Sequence, residues 1–174
     1  NGKLYFEYGS TNNYLRLETV NNTLPAETWK NISITYNGGT TGSSSGSISN
    51  YYSRFTIFID GASQLTTDSN NNFGWSASVD SDLFTVGRSG SSNNWLKNEC
   101  KIDELAVWGT DETVNISDIY NSGTPHDLSL LSSSPLHWWR MGDGDTYPTL
   151  SDSIDATDFT MNSMTSSDIV NDTP

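Results

Sequence analysis

The chain has 174 residues and a mass of 19.1 kDa, the size of one β-sandwich domain with little left over for a second. Eight Lys and Arg against 21 Asp and Glu give a formal charge of −13, which sets long-range electrostatics against nucleic acid and anionic lipid as partners. Only 17% of residues are charged, whereas Ser, Thr and Asn fill 65 positions and six Trp stand among 11% aromatics; such a chain disfavours long helices yet has large apolar surfaces to bury.

In chain order, Leu4, Phe6 and Tyr8 alternate with polar residues, and Leu15 and Leu17 repeat the pattern after the turn-like Gly9 to Asn13, which predicts a hairpin. Trp29 leads into Ile32, Ile34 and Tyr36, a half-buried strand that stops at Asn37-Gly38-Gly39. Residues 40–50 are Gly/Ser/Thr-rich with almost nothing to bury and read as a long loop. A strand resumes over Arg54 to Asp60, with Phe55, Ile57 and Ile59 on one face and Phe58 on the other. It ends in the tight-turn pair Asp60-Gly61, with Leu65 and Thr66 returning. Asp68 to Asn72 reads as a polar loop, Leu83 to Gly87 as a further short strand.

The run Cys100 to Trp108 is apolar on both faces and reads as a central strand covered on both sides. Cys100, the only cysteine, excludes an intrachain disulfide and reads as a small buried thiol. Ile116 to Tyr120 is the one plausible helix, ended by Asn121-Ser122-Gly123 with Gly123 in the left-handed position and Pro125 beyond. No run approaches the roughly 20 apolar residues of a membrane-spanning helix. The elements predict an all-β chain, a jelly-roll β-sandwich with one short helix near 116–122.

Several segments carry a family resemblance. Leu4-x-Phe6, the run Trp29 to Tyr36, Phe58-Ile59-Asp60-Gly61, Lys101 to Trp108 and Ile116 to Gly123 occur in the order found in the laminin G-like or concanavalin A-like lectin/glucanase superfamily, which the chain resembles. The family's opening strands have no match before Leu4, and Leu136 to Asp143 looks like that opening segment placed late. The expected organisation is therefore residues 1–130 as a lectin-like sandwich lacking its usual opening strands. Residues 131–174 form a Trp-rich segment that either completes the sandwich or mediates contacts between subunits. Tyr120 to Pro125, Trp138 to Asp143 and the close Ser167 to Pro174 are similar to structural proteins of marine tailed phages.

That resemblance implies a non-enzymatic virion structural protein, a surface decoration or fibre component on the virion surface, contacting other virion proteins or copies of itself. The alternative is an extracellular carbohydrate-binding adhesion module whose partner is a host-surface glycan. No catalytic residues are assigned: Glu99 and Asp103 lack the family's carboxylate spacing, and His126 and His137 read as surface or packing residues. Carbohydrate candidates are Trp75, Trp95, Tyr51 and Tyr52, aromatic rings in or beside Asn/Ser/Gly-rich loops. No cofactor is assigned. The resemblance allows a structural calcium held by Asp103, and hard oxygen donors also cluster at Asp143 and Asp145, Asp80 and Asp82, and Asp68.

Overall fold

Alternating apolar residues build the first ladder where the pattern places it. In a computed structural model of the chain, which describes residues 2–10, 13–20, 24–38, 53–71, 86 and 100–170, β1 (Tyr5–Ser10) and β2 (Asn13–Thr19) pair antiparallel with Phe6 opposite Leu17. The second edge of β2 is taken by β6 (Thr66–Asn71), giving the order β1-β2-β6. Residues 68–71, expected in a loop, thus belong to a strand. Polar side chains do not prevent strand formation when a neighbouring strand offers a full row of backbone partners.

The second sheet is β3 (Ile32–Tyr36), β4 (Phe55–Ile59) and β5 (Ala62–Ser63), in that order. β4 and β5 are joined at Asp60 and Gly61, whose φ values of 51° and 74° are both left-handed, as a two-residue hairpin turn requires. Ile57 and Ile59 of β4 meet Leu17 of β2 in one buried cluster, flanked by Leu4, Phe6, Leu24 and Phe55. Phe6 and Phe55 bring their ring centres to 5.0 Å across the two sheets. Thr19, fully buried, is satisfied by accepting the Leu4 N–H at 3.0 Å.

Burial along β3 differs from the expected pattern. Thr35 is buried, whereas Ile32 and Ile34 keep 42% and 41% of their surface exposed. Ile34 lies opposite Ile57, on the core face, but β3 is the edge of its sheet among the described strands, so the outer side of these residues is uncovered. On the opposite face, Phe58 and Thr35 are buried and the Thr113 hydroxyl donates to Thr35 Oγ1 at 2.7 Å.

The run 100–108 is a strand only in part, and among the described strands it is not central, since its sheet has two strands. β7 is Leu105–Val107, all half-buried, and its described partner is β8 (His137–Trp139). Glu104 adopts φ 54°, which breaks the extended backbone one residue before β7. Cys100 is exposed, not buried, because it lies outside the strand that was expected to cover it. The helix α1 (Ile116–Tyr120) forms where expected. Asn121, Ser122 and Gly123 all follow it at positive φ, so the left-handed exit begins two residues earlier than the glycine. Before α1, the buried Glu112 carboxylate accepts from Thr110, Asn115 and Ser133 at 2.5–2.7 Å.

β9 (Thr149–Leu150) and β10 (Phe159–Thr160) form a last two-stranded ladder. The described fold is therefore mostly strands in small antiparallel sheets with one short helix.

Candidate functional site

β8 organises the region where polar chemistry concentrates. Successive strand residues point to opposite faces, and the sequence His137-Trp138-Trp139-Arg140 divides accordingly. Trp138 and Arg140 share one face, with the guanidinium 5.3 Å from the indole centre. His137 and Trp139 share the other, stacked at 5.5 Å and 20°.

The Trp138 and Arg140 face borders a cleft of about 380 Å³, completed by Pro125, His126, Asp127, Ser129 and Ser153. Trp138 is only 5% exposed, so it forms the floor of the cleft and offers little free ring surface. Its indole N–H donates to Glu104 Oε2 at 2.6 Å. Arg140 donates to Glu104 Oε1 at 3.4 Å and pairs with Asp143 at 2.6 Å. Asp127 is locked by its own loop: its Oδ1 accepts the Ser129 hydroxyl at 2.5 Å and the Ser129 N–H at 3.0 Å, and these bonds lower its carboxyl below the usual range. His126 Nε2 is buried and has no hydrogen-bond partner among the described residues.

Behind the cleft, Asp103 caps the Glu104 N–H at 3.0 Å. Burial raises the Asp103 carboxyl above its ordinary value, helped by the charges of Glu104 and Asp143 and opposed by that N–H and by Arg140. Of the expected oxygen donors, Asp103 and Asp143 are near enough for their charges to interact, but among the described residues neither belongs to a group of three or more donors close enough to share an ion. Asp145 is engaged elsewhere, accepting the Ser151 N–H at 3.0 Å. Asp80, Asp82 and the side chain of Asp68 lie outside the described residues, as do Glu99 and all four carbohydrate candidates, Trp75, Trp95, Tyr51 and Tyr52.

On the opposite face of β8, Asp152 is a buried hub. Its Oδ1 accepts the N–H groups of Trp138 at 2.9 Å and Ile154 at 3.0 Å, and its Oδ2 meets His137 Nδ1 at 2.7 Å. Burial pushes this carboxyl up, but the Trp138, Ile154 and His137 hydrogen bonds together outweigh it and leave Asp152 below the ordinary carboxylate range. Trp139, 2% exposed, ties the hub to the last ladder by packing on Phe159 at 4.3 Å and donating its indole N–H to Thr157 O at 2.8 Å.

Sequence reasoning did not single out Asp127, Arg140, Asp152 or Ser153. A readable signal existed for Arg140, since strand alternation places it beside Trp138. Asp152 carried only a weaker one, an Asp-x-x-Asp turn pattern shared by many solvated loops. No family model, curated protein or solved structure matches the chain.

Proposed function

We propose that the chain is a non-enzymatic structural component of a phage particle, a surface decoration or fibre component. Its strands would form a jelly-roll sandwich of the concanavalin A-like kind, and its cleft would face host-surface glycan. The observation that carries this reading is a convergence. Tyr120 to Pro125 and Trp138 to Asp143, two segments with resemblance to phage structural proteins, meet at one surface and contribute Pro125, Trp138 and Arg140 to the cleft. The shared cluster of Leu17, Ile57 and Ile59 between two antiparallel sheets supports the sandwich.

The polar lining suits hydroxyl-rich ligands: a guanidinium, serine hydroxyls and a fixed carboxylate offer both donors and acceptors around an aromatic floor. Among the described residues the lining holds one carboxylate, Asp127, whereas glycoside hydrolysis uses two across the scissile bond. Adhesion is therefore favoured over hydrolysis.

A glycan array probed with the purified chain tests the adhesive part. Binding to a defined set of glycans, weakened about tenfold or more by Arg140→Ala through loss of about 1.5–3 kcal/mol of charged hydrogen bonding, is the expected result. An empty array, or binding indifferent to Arg140→Ala and to Ser153→Ala, refutes it. Light scattering on the same material tests the assembly part, which fails if the chain is a compact monomer at all concentrations.

A further inference from the structure

We propose that His137, Asp152 and Asp155 form a binding site for a divalent transition metal, with Zn²⁺ as the best-matched ion. The side-chain donor atoms of the three residues all lie within 4.8 Å of one another, and they come from two separate segments, β8 and the turn at 152–155. Among the described residues this is the one group of three or more such donors close enough to share an ion.

The site is organised beyond its proximity. Asp152 is held by backbone: the N–H bonds from Trp138 and Ile154 fall on Oδ1, the N–H of Asp155 bonds the same carboxylate, and Oδ2 meets the imidazole of His137. Asp152 N–H is itself fixed by donating to Asp158 Oδ1 at 2.9 Å. The His137 ring is oriented by stacking on the buried Trp139. Partners of this kind, one layer behind the ligands, set ligand direction in metal sites. Asp152 is buried while Asp155 is exposed and His137 half-exposed, so an ion has a route in and room for one or more waters beside three protein ligands.

The donor set selects the ion. One imidazole nitrogen with two carboxylate oxygens suits Zn²⁺ and its neighbours, whereas Ca²⁺ and Mg²⁺ take oxygen ligands. Ligand distances of about 2.0–2.1 Å from a tetrahedral ion put donors about 3.3 Å apart. His137 Nδ1 and Asp152 Oδ2 stand at 2.7 Å, so the ring must withdraw by roughly half an ångström to admit the ion. The half-exposed imidazole can make that shift and the backbone-anchored carboxylate need not. In the metal-bound form Nδ1 coordinates through its lone pair, so any proton on Nδ1 is given up to solvent and the ring carries its N–H on Nε2.

The test is calorimetric titration of the untagged, chelator-stripped chain with ZnCl₂ near pH 7.5, followed by the visible spectrum of the Co²⁺ form. One Zn²⁺ per chain is expected, with affinity falling about tenfold or more in His137→Gln and in Asp155→Asn. The Co²⁺ absorption should disappear in His137→Gln. Asp155 is exposed, so its variant reports on the site without a folding penalty, and circular dichroism of both variants establishes that they are folded. The proposal is overturned if Zn²⁺ does not bind below about millimolar concentration, if both folded variants bind as the parent does, or if Ca²⁺ binds in preference to Zn²⁺. Glycan binding at the cleft is a separate measurement, and neither result decides the other.

Discussion

The indole N–H of Trp138 and the carboxylate of Glu104 meet at 2.6 Å beside the β7–β8 ladder, with Glu104 held at φ 54° one residue before β7. A left-handed backbone costs a non-glycine residue on the order of 1–2 kcal/mol, and the bond to a nearly buried indole offsets that cost. Glu104→Ala should destabilise the fold by about 1–3 kcal/mol, because it leaves the Trp138 donor without its partner while the strained backbone stays. Glu104→Gln retains an acceptor and should lose less. Thermal melts read the difference as a fall of a few degrees for each kcal/mol at this chain length.

The turn between β4 and β5 should be equally sensitive at Gly61. A Cβ there would lie 2.8 Å from Cδ1 of Tyr120 in α1, on a backbone at φ 74°. Gly61→Ala should cost about 1–3 kcal/mol, from left-handed strain together with the clash. Adding Tyr120→Ala relieves the clash and not the strain. A double-mutant cycle should therefore show a coupling of about 0.5 kcal/mol or more; strict additivity would mean that turn and helix do not touch.

Acid should unfold the chain partly through Asp152 and Glu112. For both, burial acts to raise the carboxyl, and hydrogen bonds outweigh it to leave a net lowering: from Trp138, Ile154 and His137 at Asp152, and from Thr110, Asn115 and Ser133 at Glu112. Their contribution is complete above the unfolded carboxylate pKa of about 4. It fades as pH falls below that value towards the lowered folded ones, because the unfolded chain takes up protons first. The melting temperature should thus be flat above about pH 5 and drop below about pH 4. Asp152→Asn should be less stable at neutral pH and show a shallower acid limb.

The shared core gives a further quantity to measure. Ile57 is fully buried between the two three-stranded sheets. Ile57→Ala should cost about 2–5 kcal/mol through lost burial and the cavity left behind. Ile34→Ala, directly opposite on the edge strand and two-fifths exposed, should cost clearly less. Denaturant titrations of the pair check the ordering.

What could be read from the sequence was governed by short-range chemistry. The first hairpin, the Asp60-Gly61 turn and the helix at 116–120 all follow from alternation, turn residues and a helix stop acting within a few positions. Features set by distant partners could not be read in the same way. Glu104, bonded to Trp138, makes the strand begin late, Cys100 is left outside as a result, and polar residues 68–71 join a strand because β2 offers them an edge. The cleft and the Asp152 hub draw on segments that meet only in three dimensions, so no local pattern announces them.

The pairing of β7 with β8 also has a consequence for how the chain is made. β1 finds β2 at once across Ser10 and Asn13, but Val107 must wait for His137, and Thr19 for Thr66, before their ladders can begin. At synthesis rates of about 5–20 residues per second, those waits last on the order of seconds. During them β2 and β7 emerge from the ribosome as open strand edges with nothing yet to pair with. Crowded translation, where such edges from neighbouring nascent chains can meet, is therefore the stage at which this protein is most exposed to mispairing, and slower elongation through residues 108–136 would lengthen that interval.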